Sequence, residues 1–211
     1  AEVVLVDVGD DLTMLYEELE EDVDAIIPVH LSGRNAFSPD DGGEPVIDDA
    51  AEAFGSDIER GLIPCYSFSV NKVITTGQGG MVVTDDEQLA RRAREFKNQG
   101  HPIDVPREID EQRSWGTNLK FTDLQAAVGL AQLASIDERL RRLHRRHGIY
   151  VRELAGTSLE PSHFHEGEVP LWTDVRVFNR PEFIYKAKER GIECRPMFTP
   201  LHLKSMYWGE D

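Results

Sequence analysis

Four short apolar runs lie between a helical spacing over 12–22 and the next one over 87–97, and that order constrains the fold more than any other feature. They lie over residues 25–31, 46–47, 65–69 and 81–84. The first, Ala25-Ile26-Ile27-Pro28-Val29-His30-Leu31, is apolar without alternation, which predicts a strand buried on both faces. Another apolar run at 3–8 and a helical spacing over 12–22 come before it. Residues 32–44, rich in Gly, Asp, Ser and Pro, read as a loop. After the last run, Asp85 or Asp86 caps a helix over 87–97 that Gly100 ends. A polar loop is expected over 101–116. Thr122 or Asp123 then caps a long helix whose first face carries Leu124, Ala127, Val128, Ala131 and Leu133. Beyond Ser135 the helix turns basic, with Arg139, Arg141, Arg142, Arg145 and Arg146. The remainder reads as strand 172–178, helix 181–190 and strand 192–196. Strands interleaved with helices predict an α/β domain followed by a smaller α/β piece.

Chemistry concentrates at the ends of two of these runs. Ser67-Phe68-Ser69-Val70-Asn71-Lys72-Val73-Ile74-Thr75-Thr76-Gly77-Gln78-Gly79-Gly80 places one lysine in a polar turn closed by glycines. A partly desolvated lysine loses its proton readily and becomes a nucleophile able to form a Schiff base. Upstream, Pro45-Val46-Ile47-Asp48-Asp49-Ala50-Ala51-Glu52 ends a strand in carboxylates. An acid and a lysine at the ends of neighbouring strands form the pairing that a pyridoxal phosphate site needs.

Composition excludes several alternatives. The formal charge of −16 over 211 residues repels nucleic acid and anionic lipid, so neither is an expected partner. No apolar run reaches the length of a bilayer span, and the first residues read as a strand rather than a leader. Two cysteines, Cys65 and Cys194, predict no disulfide framework and a reducing, cytoplasmic setting.

Several blocks, in order, resemble the DegT/DnrJ/EryC1/StrS family of nucleotide-sugar aminotransferases. They are Ile27-Pro28-Val29-His30-Leu31, Ile47-Asp48-Asp49-Ala50-Ala51-Glu52-Ala53, and the Ser67 to Thr84 block. Gly116-Thr117-Asn118-Leu119-Lys120, Gln125-Ala126-Ala127, Gly129-Leu130-Ala131-Gln132-Leu133 and Arg195-Pro196-Met197-Phe198-Thr199-Pro200-Leu201-His202 complete the set. Within the family, the Asn-Lys, Thr-Thr-Gly and Pro-Leu-His details look most like the perosamine synthase-like branch.

The resemblance implies fold type I of the pyridoxal-phosphate transferases, like aspartate aminotransferase. Its large domain holds a mixed, mostly parallel sheet, and a small α/β domain lies at the C-terminal end. Residues 1–134 would be part of the large cofactor-binding domain. Residues 135–211 would be the linking helix and an incomplete small domain. The family's N-terminal part, with the Gly-Thr turn that cradles the phosphate, would lie outside this chain, as would its extreme C-terminus.

The implied activity is transfer of an amino group, with glutamate as donor, to a nucleotide-linked 4-keto-6-deoxy sugar in surface polysaccharide or glycan biosynthesis. Lys72 would carry the pyridoxal 5′-phosphate and act as the base, and Asp49 would pair with the ring nitrogen. Glu52 would sit near the ring hydroxyl, sharing a proton with it. Ser67 would bond the cofactor phosphate. Asn118 and Lys120 would reach the phosphate in the partner subunit of a homodimer with shared sites. His30 and His202 are candidate substrate contacts.

Plainer readings stand beside these. Lys72 alone is a turn lysine, and Asp49 can be a helix N-cap before Ala50-Ala51. The arginines over 139–146 read first as a solvated helix face, and a diphosphate contact is the second reading. His30 can line a sugar pocket or end a buried strand. His163, His165 and Glu166 read as surface loop, so no metal is expected. A chain without catalysis, binding a partner subunit or a sugar nucleotide, is the alternative function.

Overall fold

The computed structural model describes residues 2–19, 22–36, 43–106 and 108–204. Residues 37–42 of the expected loop over 32–44 lie outside the described residues, as do residues 20 and 21 of the expected helix over 12–22.

Strands β1 (Cys65–Ser67) and β2 (Gly80–Val82) form an antiparallel pair, with Cys65 opposite Val82 and Ser67 opposite Gly80. Two further segments extend this sheet through parallel bridges, Ile26 to Val46, Val29 to Asp49 and Asp49 to Cys65. Pairing here is carried by single bonds, among them Ile47 N to Ile26 O at 2.9 Å and Asp49 N to Pro28 O at 2.9 Å. Between the first two segments the ladder is interrupted at Pro28, which has no N–H to give.

The segment expected to be buried on both faces instead alternates. Ile26, Pro28 and His30 are buried, while Ile27 and Val29 are exposed. Ile26 and Val46 share the buried face, and a core cluster of Ala50, Ala53 and Ile58 has Tyr66 packed against it. Val29, Asp49, Cys65 and Ser67 share the opposite face, because paired residues point to one side and side chains alternate along a strand.

Helix α1 (Glu87–Lys97) forms where the spacing predicted it. Its cap is Asp86, which accepts from the Gln88 and Leu89 N–H groups. Gly100, at φ +76°, donates to the Glu95 carbonyl and closes the C-terminus. Helix α2 (Asp123–Leu133) opens with a reciprocal capping box between Thr122 and Gln125. Helix α3 (Ile136–Leu154) follows after a break at Ala134 and Ser135. Strands β3 (Glu160–Pro161) and β4 (Val175–Arg176) pair antiparallel, and α4 (Arg180–Glu189) starts on the Asn179 cap.

Four sequence expectations are corrected. The apolar run at 3–8 forms no strand, only a bridge from Val8 to Met14, and Val3, Val4, Leu5 and Val8 are exposed. Among the described residues, the helix expected over 12–22 shrinks to a single 3-10 turn, Tyr16–Glu18, because Leu12 takes φ +67° in a turn that doubles back on Gly9. The strand over 172–178 is cut to β4. Residues 192–196 form no strand.

The helices bury little. No residue of α1, α2 or α3 is buried, and Leu124 and Leu130 on α2 are 82% and 68% exposed. Accessible surface totals 15316 Å² for 23.8 kDa, whereas a compact monomer of that mass exposes about 9,900 Å². The expected apolar face of α2 is therefore present but uncovered. Among the described residues, no helix is long and apolar enough to cross a membrane.

Candidate active site

Lys72 sits in a turn that the chain pins from several sides. Its own N–H donates to the Ser69 carbonyl at 3.2 Å, and the two residues after it, Val73 and Ile74, are buried. Farther along, Thr76 N donates to the Phe68 carbonyl at 2.9 Å, and Phe68 N donates to the Gly79 carbonyl at 2.9 Å. Helix α2 braces the same turn, since the Gln132 Oε1 accepts from Thr75 N at 3.0 Å and the Gln125 Nε2 donates to Gln78 O at 2.9 Å. Gly79 is required here. At φ +130° a Cβ would come within 2.4 Å of the Phe121 ring.

The amine this turn presents meets a carboxylate. Lys72 Nζ lies 3.2 Å from Glu52 Oε1, with both side chains 13% exposed. Glu52 is itself fixed, since Ser32 N–H donates to Oε2 at 2.9 Å and the Trp172 indole N–H reaches Oε1 at 3.4 Å. The Trp172 segment is stapled to the strand end near His30. Leu171 N donates to Ser32 O at 3.0 Å, Ser32 Oγ donates to Asp174 at 3.1 Å, and Arg146 Nη2 donates to Leu171 O at 2.7 Å. Lys72 opens into a cleft of about 440 Å³, walled by Asn71, Arg139, Arg142, Arg146 and Trp172 among others. A second cleft, of about 360 Å³, holds Lys120 and Phe121 but not Lys72. The cleft with the partly buried amine is the one suited to covalent chemistry.

Asp49 and Ser67 lie on adjacent strands and share the partly open sheet face with Cys65. The Asp49 carboxylate accepts from Ala51 N at 3.1 Å, so the capping role holds, in a turn rather than a helix. The Ser67 hydroxyl accepts from Ser69 N at 3.3 Å. Burial, then Asp49 and Asp48, push the Cys65 thiol up from its ordinary value. Less thiolate therefore forms near neutral pH. Alkylation of Cys65 by iodoacetamide at pH 7.5 is expected to be slower than that of free cysteine and to rise steeply as pH increases. Asp49→Asn should speed it, and an unchanged rate would place that carboxylate away from the thiol.

The other expected residues fall elsewhere. His30 is fully buried on the opposite side of the sheet; its Nδ1 accepts from Ala36 N at 3.0 Å and its Nε2 lies 3.2 Å from Asp48 Oδ1. The expectation that His30 lines a substrate pocket is not met by this placement. Asn118 pairs with Asn98, and Lys120 Nζ bonds Asn98 and Gln99 at 3.3 and 3.4 Å, on an exposed edge. His202 lies exposed in the 3-10 turn Leu201–Leu203, outside the lining of the Lys72 cleft.

Trp172 and Ser32 were not singled out by the sequence. Trp172 is 120 residues from the Glu52 it touches, and no local pattern announces such a contact. By residue type, Lys72, Asp49 and Ser67 suit a phosphorylated pyridine aldehyde, with an amine for the aldehyde, a carboxylate for the ring nitrogen and a hydroxyl for the phosphate, although Asp49 and Ser67 do not line the Lys72 cleft.

Comparison with known proteins agrees. The model described as the DegT/DnrJ/EryC1/StrS aminotransferase family matches residues 1–211. GDP-perosamine synthase of Caulobacter vibrioides is 36% identical over 213 residues, covering 87% of this chain and 54% of that protein. GDP-perosamine synthase of Escherichia coli O157:H7 is 35% identical over 223 residues, covering 92% and 57%. The crystal structure of a DegT DnrJ EryC1 StrS aminotransferase from Brucella abortus matches with a TM-score of 0.82 at 25% identity, over 98% of this chain and 61% of that one. That of S. venezuelae DesV in complex with a ketimine intermediate matches with a TM-score of 0.82 at 27% identity, over 98% and 60%. The chain spans about half the length of the curated relatives it matches.

Proposed function

The chain belongs to the DegT/DnrJ/EryC1/StrS aminotransferase family, and on that premise we propose that it carries out pyridoxal-phosphate-dependent transamination of a nucleotide-linked 4-keto-6-deoxy sugar. Its fold is the fold type I arrangement of that class. The observation that carries the reading is the Lys72–Glu52 pair at the mouth of a cleft. The two GDP-perosamine synthases favour a sugar nucleotide as acceptor and a role in surface polysaccharide or glycan biosynthesis.

When bound, the cofactor's protonated ring supplies an electron sink for the carbon that loses its proton. Lys72 would hold it covalently. Asp49 would keep the ring nitrogen protonated, Ser67 would bond the phosphate, and Glu52 would face the ring hydroxyl. Freed from that attachment, the Lys72 amine would be the base that takes the proton from the donor's α-carbon and passes it to the cofactor carbon to which the lysine had been joined. Glu52 positions this amine, and Trp172 and Ser32 hold Glu52 in place.

Glutamate is the proposed donor, and a cytoplasmic homodimer the proposed assembly, with Asn118 and Lys120 of one subunit serving the site of the other. His202 is kept as a proposed substrate contact from that assembly. Residues 1–134 and 135–211 are proposed as the parts of the large and small domains. The helix break between Leu133 and Ile136 supports that division.

The glutamate half-reaction tests this reading. Protein loaded with pyridoxal phosphate and given glutamate without an acceptor is expected to release one 2-oxoglutarate per bound cofactor. A protein that holds the cofactor and releases none would overturn the activity and favour the non-catalytic alternative.

A further inference from the structure

The five arginines over 139–146 look like one solvated face in the sequence, but the fold divides them. Arg139, Arg142 and Arg146 stand at helical spacings of three and four, which align them in one stripe on α3. That stripe lines the Lys72 cleft, together with Ser135, Glu138 and Trp172. Arg141 and Arg145 do not line it, although Arg141 reaches its rim by pairing with Glu138 Oε2 at 3.0 Å.

The cleft therefore gathers four cationic side chains, Lys72, Arg139, Arg142 and Arg146, against one carboxylate, Glu138, in a chain whose formal charge is −16. Two of the four have other duties, since Lys72 is held by Glu52 and Arg146 is committed to the Pro170 and Leu171 carbonyls. Arg142 engages Glu138 through Nε at 2.9 Å, which leaves its terminal amino groups for a further anion. Arg139 donates through Nε only to the Ser135 hydroxyl, at 3.3 Å, and has no carboxylate partner among the described residues. Glu138, hydrogen-bonded by Arg142 and flanked by Arg141 and Arg145, is held below the ordinary carboxylate range, a sign of the local positive field. Guanidinium forks one turn apart favour a phosphoryl anion over a single carboxylate, because each presents paired donors to a multi-oxygen charge.

We propose that Arg139 and Arg142 form a phosphoryl-binding stripe that takes the diphosphate of the substrate and so orients its other end toward Lys72. The identity of the natural anion rests on the aminotransferase reading, whereas the anion site itself does not. The cofactor's phosphate is the other source of the same chemistry, but its proposed partner, Ser67, does not line this cleft. Trp172, 38% exposed in the same wall, offers an aromatic face beside the stripe.

The test uses the full chain without cofactor and inorganic pyrophosphate as the probe, titrated by calorimetry at low ionic strength, where such contacts are least screened. The pair of substitutions R139A and R142A is expected to weaken binding at least tenfold. The pair R141A and R145A removes the same charge from residues of α3 that do not line the cleft and should change it less than twofold. Equal losses in both pairs, or no binding by the unaltered protein, would overturn the site. Capture of pyridoxal phosphate at Lys72 should be unchanged in the R139A and R142A protein. A tenfold loss of capture there would overturn the assignment to substrate and give the stripe to the cofactor. Lack of capture by every protein, with pyrophosphate binding intact, would count against the aminotransferase reading and leave the anion site standing.

Discussion

Replacing His30 with alanine is expected to destabilise the chain by about 3–5 kcal/mol, because a large buried side chain is removed and the buried Asp48 carboxylate loses a donor. The reason is local bookkeeping of donors. His30 and Asp48 are both fully buried, and Ala36 N–H uses the lone pair on His30 Nδ1. Nε2 is therefore the nitrogen that donates, at 3.2 Å, to Asp48 Oδ1. Asp48 Oδ2 accepts from Gly61 N at 2.8 Å, so the carboxylate joins the strand end at His30 to the loop before β1. Without the ring, Oδ1 loses its donor and the Ala36 N–H its acceptor, and a cavity opens between them. Asp48→Asn keeps the shape but turns an N–H toward one of two donors, so it should cost less, about 1–3 kcal/mol. Urea unfolding of the three proteins at one pH checks both values. A loss under 1 kcal/mol for His30→Ala would mean that the pair does not organise this core.

Lys72→Ala is expected to leave stability nearly unchanged and to remove the chemistry. The side chain contributes one ion pair, and Glu52 keeps Ser32 N–H and the Trp172 indole as donors when the amine is gone. Loss of the proton-transferring base alone lowers such a step by about 10²- to 10⁴-fold. Loss of the covalent anchor adds to that. The glutamate half-reaction should therefore fall below detection while the urea midpoint moves little. Lys72→Arg, which keeps the charge but has no amine able to form a Schiff base, should be equally inactive. Activity retained in either variant would assign the chemistry to another lysine.

Much of this was legible in the sequence where the determinants are local. The α1 cap at Asp86, the Gly100 stop and the Thr122 cap depend on residues within one turn, and they appear where the spacing put them. The lysine turn is local as well, with its glycines meeting real steric demands such as the approach of Phe121 to Gly79. Burial was not legible, because it depends on what covers each face. The run over 25–31 has no polar residue on its open side, so nothing in it revealed that Ile27 and Val29 face outward. The apolar face of α2 fails for the same reason, since its residues lack a covering layer among those described. At the site, Trp172 and Asp174 reach back over more than a hundred residues, a distance no periodicity records. The division of the arginines lies between these cases. Their three- and four-residue spacing could be read from the sequence, but only the fold shows which side faces Lys72.

The central claim is that one amine, on Lys72, is set up to capture the cofactor. Incubation of the protein with equimolar pyridoxal phosphate, reduction with borohydride and peptide mapping by mass spectrometry tests it most directly. A single reduced adduct is expected, on the peptide containing Lys72, at close to one per chain. Adducts spread over exposed lysines such as Lys120 and Lys186, with Lys72 unlabelled in a folded protein, would contradict it.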